Sequence, residues 1–240
     1  MINHKRIILL HGWGANTSKL TPLGQELHKL GWKTLLLELP GFDAPPPPQG
    51  WDVGDYAHYI LQEAQRVFGK KEFFVFGHSF GGRLAIKLAA ANADEHLAGI
   101  VLCSTSGLSR GNPIKRAAFW TMAKAGKILR LVPPVAEVWR KILYKLTREH
   151  DYSKTEGTMR ETFKKVVAED LKPLVRNIQV PTLVLWGQQD QVTPVADARY
   201  IQKTVQSAQV VFFANEGHQL PYHKPQELAQ EINQWVQNLD

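Results

Sequence analysis

One stretch of the chain combines an apolar run, a glycine-flanked turn and a helix-like run. The apolar run is Phe73–Phe76, the turn reads Gly77-His78-Ser79-Phe80-Gly81, and the helix-like run is Arg83–Ala90. A serine held between a strand and a helix adopts a strained conformation that requires small residues two positions before and after it, and glycines stand at both. A surface serine in an ordinary glycine turn has the same short pattern. The flanking runs favour a strand–turn–helix unit that presents Ser79 at a strand end.

Strand-like and helix-like runs alternate along most of the chain. Short apolar runs bounded by glycine, proline or polar residues predict buried strands, and 3.6-residue spacing predicts helices. The alternation predicts a doubly wound α/β sheet, mostly parallel, whose ligands bind beyond the carboxyl ends of the strands. The predicted strands are Ile7–Leu10, Lys33–Leu39, Phe73–Phe76, Leu97–Cys103, Thr182–Gly187 and Gln209–Phe213, and the predicted helices are Leu20–Leu30, Tyr56–Phe68, Arg83–Ala90, Val195–Val205 and Pro225–Leu239.

The alternation stops between residues 109 and 172, where no strand-like run occurs and helical spacing prevails. We therefore expect an α/β core in two parts, 1–108 and 173–240, and an all-helical cap formed by 109–172. The apolar side chains of this cap exceed what a thin helical layer needs for its own core. Some of them are expected to line a substrate pocket, although packing of cap on core explains each one as simply; the candidates are Trp120, Leu129, Trp139 and Leu143.

The positive charge of the chain is concentrated in this same region. Arg110–Glu149 contains ten Lys and Arg residues and two Glu, a balance of +8, whereas the whole chain carries +7. A one-sign patch of this kind is either solvated surface or a surface that attracts an acidic carrier protein, an anionic substrate or an anionic membrane face. Nucleic acid is not expected as a partner, because no nucleic-acid-binding motif accompanies the charge.

Two further residues stand at strand ends in positions that suit acyl-transfer chemistry. A serine hydroxyl needs a base to take its proton, and the base needs an acid to hold its tautomer. Asp190 follows the strand that ends at Gly187, and His218 follows the strand that ends at Phe213. Asp190 could instead cap the next helix, His218 could be a turn residue, and Glu216 is a nearby alternative carboxylate. The order serine, aspartate, histidine favours Ser79, Asp190 and His218 as catalytic residues.

The oxyanion of such a reaction requires two N–H donors. One is the backbone N–H of the residue after the nucleophile, Phe80, and the other comes from the loop after the first strand, where Trp13 is the candidate. His11 and His78 flank glycine turns, and structural roles are favoured for both. The remaining histidines have no metal-ligand spacing, so neither a metal nor a cofactor is predicted.

Cysteine content and hydropathy indicate a cellular compartment. Cys103 is the single cysteine and lies in an apolar run, which rules out a disulfide within the chain. The first residues lack the pattern of a signal peptide, and no apolar run is long enough to span a bilayer. A cytoplasmic location is expected.

Taken together, these motifs resemble those of the α/β-hydrolase superfamily over nearly the whole chain. The resemblance rests on His11–Gly14, Leu39–Phe42, Gly77–Gly82, Val180–Asp190 and Gly217-His218. It is strongest toward small bacterial carboxylesterases with helical caps, such as pimeloyl-acyl-carrier-protein methyl esterases, and toward carbon–carbon bond hydrolases. Members usually have an antiparallel hairpin before the His-Gly loop. Only Met1–Lys5 precede the first strand here, so the hairpin strands are expected to be absent.

The resemblance implies a serine hydrolase that cleaves carboxylic esters with an apolar acyl part. Thioesterase, lactonase and carbon–carbon hydrolase activities remain alternatives within the enzyme class. A ligand receptor that keeps the three residues and signals by lid movement is the alternative outside it. Repeated turnover of an ester separates an enzyme from a receptor.

Overall fold

The first buried strand shows how this chain builds a layered core. A computed structural model of the protein describes residues 5–108 and 157–239. In strand β1, Arg6–Leu10, alternate side chains point to opposite faces of the sheet. Ile8 and Leu10 join one hydrophobic cluster, and Ile7 and Leu9 join the other. Because both faces are covered, the strand reads as a continuous apolar run.

Within the described residues, six strands form one sheet in the order β2-β1-β3-β4-β5-β6, and all neighbouring pairs run parallel. This confirms the predicted doubly wound, mostly parallel sheet. The remaining strands are β2 Lys33–Leu36, β3 Phe73–His78, β4 Leu97–Cys103, β5 Thr182–Gly187 and β6 Ala208–Phe213.

Helices cover both faces of the sheet. Helices α1 and α7 contribute to the cluster that contains Ile7, and helices α2, α3 and α5 contribute to the cluster that contains Ile8. None of the helices in the described part of the chain is long and apolar enough to span a membrane. The helices are α1 Thr21–Lys29, α2 Val53–Phe68, α3 Phe80–Ala90, α4 Gly157–Ala168, α5 Val195–Thr204, α6 Leu220–His223 and α7 Pro225–Gln237, and short 3₁₀ turns occupy Thr17–Lys19 and Lys172–Asn177.

Strand β2 ends at Leu36, three residues before its predicted end, and side chains of helix α2 hold carbonyls of the segment that follows it. The hydroxyl of Tyr59 donates to the Glu38 carbonyl at 3.1 Å, and the hydroxyl of Tyr56 donates to the Pro40 carbonyl at 2.8 Å. The Leu37 N–H still donates to the Leu9 carbonyl of β1 at 3.3 Å, and the chain then turns toward Gly41, where φ is +90°.

The predicted cap lies mostly outside the described residues, as do its pocket candidates Trp120, Leu129, Trp139 and Leu143, so its boundaries stay a prediction.

Helix α4, the last part of the range predicted as cap, packs on the core. Arg83 on α3 donates from its guanidinium to the carbonyls of Val166 and Glu169 near the end of α4, and Lys87 pairs with Glu169 at 2.6 Å. Burial lowers the pKa of Arg83 to about 10, and Glu169 partly opposes that effect. These contacts tie the returning chain to the helix that follows Ser79.

Candidate active site

Ser79 occupies a strained turn between β3 and α3. Its φ of 52° and ψ of −105° lie where side chains other than glycine are rarely found. The Ser79 N–H donates to the Cys103 carbonyl at 3.0 Å, and the Ser79 carbonyl accepts from the Ser106 N–H at 3.2 Å. The end of β4 therefore holds this conformation in place.

Glycines make the turn sterically possible. A Cβ on Gly77 would collide with the backbone of Gly81, and a Cβ on Gly81 would collide with the Leu10 carbonyl. One on Gly82 would meet the side chain of Thr105. The close approach of three chain segments thus explains why glycine stands on both sides of Ser79, as the sequence indicates.

The Ser79 side chain is not used to hold the helix. Ser79 is the N-cap residue of α3, yet within the described residues its hydroxyl makes no capping hydrogen bond. The hydroxyl oxygen therefore stands at a helix N-terminus, where unsatisfied N–H groups favour negative charge.

Asp190 and His218 come together from the ends of two adjacent strands. His218 Nδ1 lies 2.9 Å from Asp190 Oδ2. The Asp190 side chain is fully buried, whereas the His218 side chain is 19% exposed. A carboxylate oxygen accepts, so Nδ1 carries the proton and Nε2 of the neutral ring is free to accept one. His218 is therefore equipped to act as a base.

Several donors converge on the Asp190 carboxylate. Oδ1 accepts from the backbone N–H groups of Val192 and Thr193, both at 2.8 Å, and Oδ2 accepts from the Thr193 hydroxyl at 2.8 Å. Burial alone would raise the pKa of Asp190, but the hydrogen bonds from His218 and Thr193 outweigh it and lower that pKa to about 2. Asp190 is thus a fixed negative charge beside His218 Nδ1.

Two of the alternatives that the sequence left open, Asp190 as a helix cap and Glu216 as the partner of His218, do not match these contacts. Asp190 accepts hydrogen bonds from the backbone N–H groups of Val192 and Thr193, which come before Pro194, the N-cap of α5. The Asp190 side chain therefore does not cap that helix. Glu216 pairs with the half-exposed ring of His223 at 3.0 Å. Of the two carboxylates, Asp190 is the one bonded to His218.

The loop after β1 lies against Ser79. A Cβ on Gly12 would stand 3.4 Å from the Ser79 Cβ. The ring of the next residue, Trp13, packs edge-to-face on the rings of Phe80 and Phe42, with ring centroids 5.2 and 5.0 Å apart. Phe80 is the first residue of α3, so its N–H has no intrahelical acceptor. The two expected oxyanion donors, Trp13 and Phe80, are therefore neighbours beside Ser79.

His11 and His78 are both buried in the walls of this region. His11 Nδ1 bonds the Gly12 carbonyl at 2.9 Å, its Nε2 has no partner within the described residues, and burial lowers its pKa. His78 bonds the His218 carbonyl through Nε2 at 2.8 Å and the Tyr222 hydroxyl through Nδ1 at 3.1 Å.

Sequence reasoning did not single out Thr193 and Tyr222 as part of this region. Thr193 follows Asp190 by three residues, a spacing typical of side-chain turns, and that spacing is the signal that could have found it. The pairing of Tyr222 with His78 joins segments that are distant in sequence, so no local pattern shows it. In residues 5–108 and 157–239, no group of three His, Cys, Asp or Glu side chains could hold a metal ion.

Burial of His78 predicts a loss of stability in acid. Burial, and to a smaller extent the nearby His218, lower the pKa of His78 to about 3. An exposed histidine has a pKa of about 6.5. Between these values the unfolded chain binds more protons than the folded one, so the free energy of unfolding falls as pH falls from 6.5 to 3. The low pKa of Asp190 likewise makes the free energy of unfolding fall as pH falls from about 3.8 to 2.

His78→Gln removes the titrating ring, so it should reduce the slope of unfolding free energy against pH by up to about 1.4 kcal/mol per pH unit. Urea unfolding at pH 7, 6, 5 and 4 measures this slope. Equal slopes in variant and wild type would contradict this expectation.

Comparison with known proteins identifies relatives over almost the full chain. A model of the alpha/beta hydrolase family matches residues 7–231. The AB hydrolase superfamily protein YisY of Bacillus subtilis is 24% identical over 258 residues, covering 98% of this chain and 92% of its own. A pimeloyl-[acyl-carrier protein] methyl ester esterase of Neisseria meningitidis is 24% identical over 234 residues, covering 89% and 86%. Among solved structures, a thermophilic esterase from Thermogutta terrifontis superposes with a TM-score of 0.73 at 20% identity, covering 98% of this chain and 90% of its own.

Proposed function

Because the chain belongs to the alpha/beta hydrolase family, we propose that it is a serine hydrolase that cleaves carboxylic esters through an acyl-enzyme on Ser79. The observation that carries the proposal is the 2.9 Å pairing of His218 Nδ1 with the buried Asp190 carboxylate. Its relatives include a lipase and a methyl ester esterase, and this likeness supports a hydrolase.

In the proposed reaction, Ser79 Oγ attacks the ester carbonyl carbon while His218 Nε2 takes the hydroxyl proton. Asp190 holds the Nδ1–H tautomer of His218 and stabilises the imidazolium that forms. The C–O bond to the alcohol then breaks, and His218 returns its proton to the leaving alkoxide. Water, deprotonated by His218, then attacks the acyl carbon, the bond from that carbon to Ser79 Oγ breaks, and His218 returns the proton to Oγ, which leaves the free acid and Ser79.

The negative oxygen of each tetrahedral intermediate is assigned to the backbone N–H groups of Trp13 and Phe80. Their position beside Ser79 supports the assignment, because the Trp13 and Phe80 rings are in contact and the loop before Trp13 lies against the Ser79 Cβ. Donors fixed in advance stabilise the transition state without reorganisation, and each is worth about 3–4 kcal/mol.

The acyl group is proposed to be apolar, and the basic region Arg110–Glu149 is proposed to favour substrates carried by an acidic partner. The aromatic side chains of Trp13, Phe42 and Phe163 form a connected set beside Ser79, which suits an apolar group. The net charge of +8 in Arg110–Glu149 supports the proposal of an acidic partner, because opposite charges attract. A relative named for a methyl ester on an acyl carrier protein has the corresponding chemistry.

A panel of p-nitrophenyl esters of increasing acyl length tests the proposal. We expect many turnovers per molecule, with kcat/KM rising as the acyl chain lengthens from acetate. Hydrolysis of only a few equivalents would contradict an enzyme and support a receptor. Thioester, lactone and 1,3-diketone substrates in the same assay decide among the other hydrolase activities.

A methyl ester carried on acyl carrier protein extends the same panel to the partner. A one-sign patch raises encounter rates, and salt screens it over about 8–10 Å. Hydrolysis of the carrier-bound ester should therefore slow at high salt, while the small neutral esters stay nearly unchanged. Equal salt effects on both substrates would contradict the carrier.

A further inference from the structure

His78 is a buried side chain that the proposed mechanism leaves without a task. It directly precedes Ser79 at the end of β3, and only 3% of it is exposed. Its Nε2 lies 2.8 Å from the backbone oxygen of His218, a residue 140 positions later in the chain. The centroids of the His78 and His218 rings are 5.0 Å apart. His78 thus connects the segment that carries Ser79 to the segment that carries the base.

The partners of His78 define its tautomer. A carbonyl oxygen can only accept, so Nε2 carries a proton that it donates to His218. Nδ1 of the neutral ring is then an acceptor, and the Tyr222 hydroxyl donates to it at 3.1 Å. Tyr222 stands in α6, the short helix that follows His218. Both hydrogen bonds of the His78 ring therefore reach the segment that carries the base.

The geometry points to His78 as a positioning residue: its Nε2–H holds the main chain of His218 so that the imidazole of His218 faces Ser79, and Tyr222 fixes the tautomer that makes this donation possible. The inference rests on the proposed function. Asp190 holds the His218 ring at Nδ1, and His78 holds its backbone, so the base is fixed at two points. A shift of about 1 Å in a reacting group can slow an enzymatic step by about 100-fold.

A neutral ring at position 78 also suits the reaction electrostatically. The imidazolium that forms at His218 would be destabilised by a second positive charge at the 5.0 Å separation of the two rings. Burial lowers the pKa of His78 to about 3, so His78 stays uncharged near neutral pH. A lysine at this position could donate to the same carbonyl but would oppose protonation of the base.

Glutamine and asparagine at position 78 form a matched pair for the test. The Nε2 amide of His78→Gln stands near the place of the histidine Nε2, so it can still donate to the His218 carbonyl. The shorter amide of His78→Asn cannot reach that oxygen, although both variants keep a polar group in the buried site. Comparing them separates the hydrogen bond from polarity and burial, and it does not depend on an apolar variant that fails to fold.

The readouts are kcat, KM and the rate at which a fluorophosphonate probe labels Ser79, measured below the unfolding transition of each variant. We expect His78→Asn to lower kcat and the labelling rate by about 10–100-fold with KM within about threefold. His78→Gln should stay within about fivefold of wild type, and Tyr222→Phe should lower kcat by about two- to fivefold, since the carbonyl bond survives with a less defined tautomer. Ile201→Val, a buried change in α5, should lower the melting temperature without changing kcat.

The outcomes separate the inference from the proposed function. If the probe labels the wild type and labels His78→Asn at the same rate, the role of His78 is overturned while the proposed function stands. Equal losses in the Gln and Asn variants would also overturn it, because the donated hydrogen bond would not be what matters. A wild-type protein that neither turns over esters nor reacts with the probe at Ser79 would overturn the proposed function, and the inference with it.

Discussion

Replacing Ser79 with alanine is expected to lower kcat for ester hydrolysis by about 10⁴-fold or more, because the reaction loses the atom that forms the acyl-enzyme. The fold should survive the change. The Ser79 hydroxyl makes no capping hydrogen bond to α3 within the described residues, so its removal leaves no donor of that helix unpaired. Steady-state kinetics on a p-nitrophenyl ester, with the melting temperature of each protein, measure both effects.

Two other serine substitutions provide controls for that experiment. Ser207→Ala removes a hydroxyl that bonds the Val180 carbonyl, outside the proposed active site, and should keep kcat within about twofold. Ser79→Gly should be as inactive as Ser79→Ala but more stable, since glycine relieves the strain of φ at 52°. Activity of Ser79→Ala within tenfold of wild type would contradict the proposed mechanism.

Asp190→Asn is expected to lower kcat by about 10³–10⁴-fold, because an amide cannot enforce the Nδ1–H tautomer of His218 or stabilise its imidazolium. The pKa of Asp190 is about 2, so the wild-type group stays charged through the usual assay range. Stability should also fall. The carboxylate accepts from Val192, Thr193 and His218, and an asparagine with one oxygen leaves at least one of these buried donors poorly paired, at about 1–3 kcal/mol.

Glu216→Gln is the matched control for this substitution. It makes the same chemical change at a carboxylate that pairs with His223, so kcat should change by less than about threefold. Both variants are compared by kcat at a temperature where circular dichroism shows them folded. A larger loss at Glu216 than at Asp190 would mean that the other carboxylate serves the base.

Sequence alone predicted the parts of this molecule that local patterns determine. Strands β4 and β5 match their predicted bounds, because a strand buried on both faces is a continuous apolar run with clear ends. The turn at Ser79 was predictable because close backbone approach excludes every residue but glycine at Gly77 and Gly81. The sequence placed Asp190 and His218 at strand ends, and the pairing of β5 with β6 brings them within 2.9 Å, while their catalytic roles stay a prediction.

One feature that the sequence analysis missed has a local cause, and others depend on partners far away in the chain. Helix α2 begins at Val53, three residues before its predicted start, because Asp52 and Asp55 form a capping box. That signal is local and was available. The contacts of His78 with His218 and Tyr222, by contrast, exist only once β3 and the segment after β6 are neighbours. Hydrophobic periodicity carries no information about such polar pairings.

The pairing of β4 with β5 closes a long loop of this chain. Ile100 lies beside Thr182, so the sheet closes across everything between these strands. The entropy lost in closing a loop grows only with the logarithm of its length, and a doubling adds about 0.6 kcal/mol. The segment between β4 and α4 can therefore lengthen, shorten or be exchanged for another at small thermodynamic expense, while the strand ends that carry Ser79, Asp190 and His218 stay in register. A change in the length or sequence of that segment therefore leaves the pairing of the six strands intact.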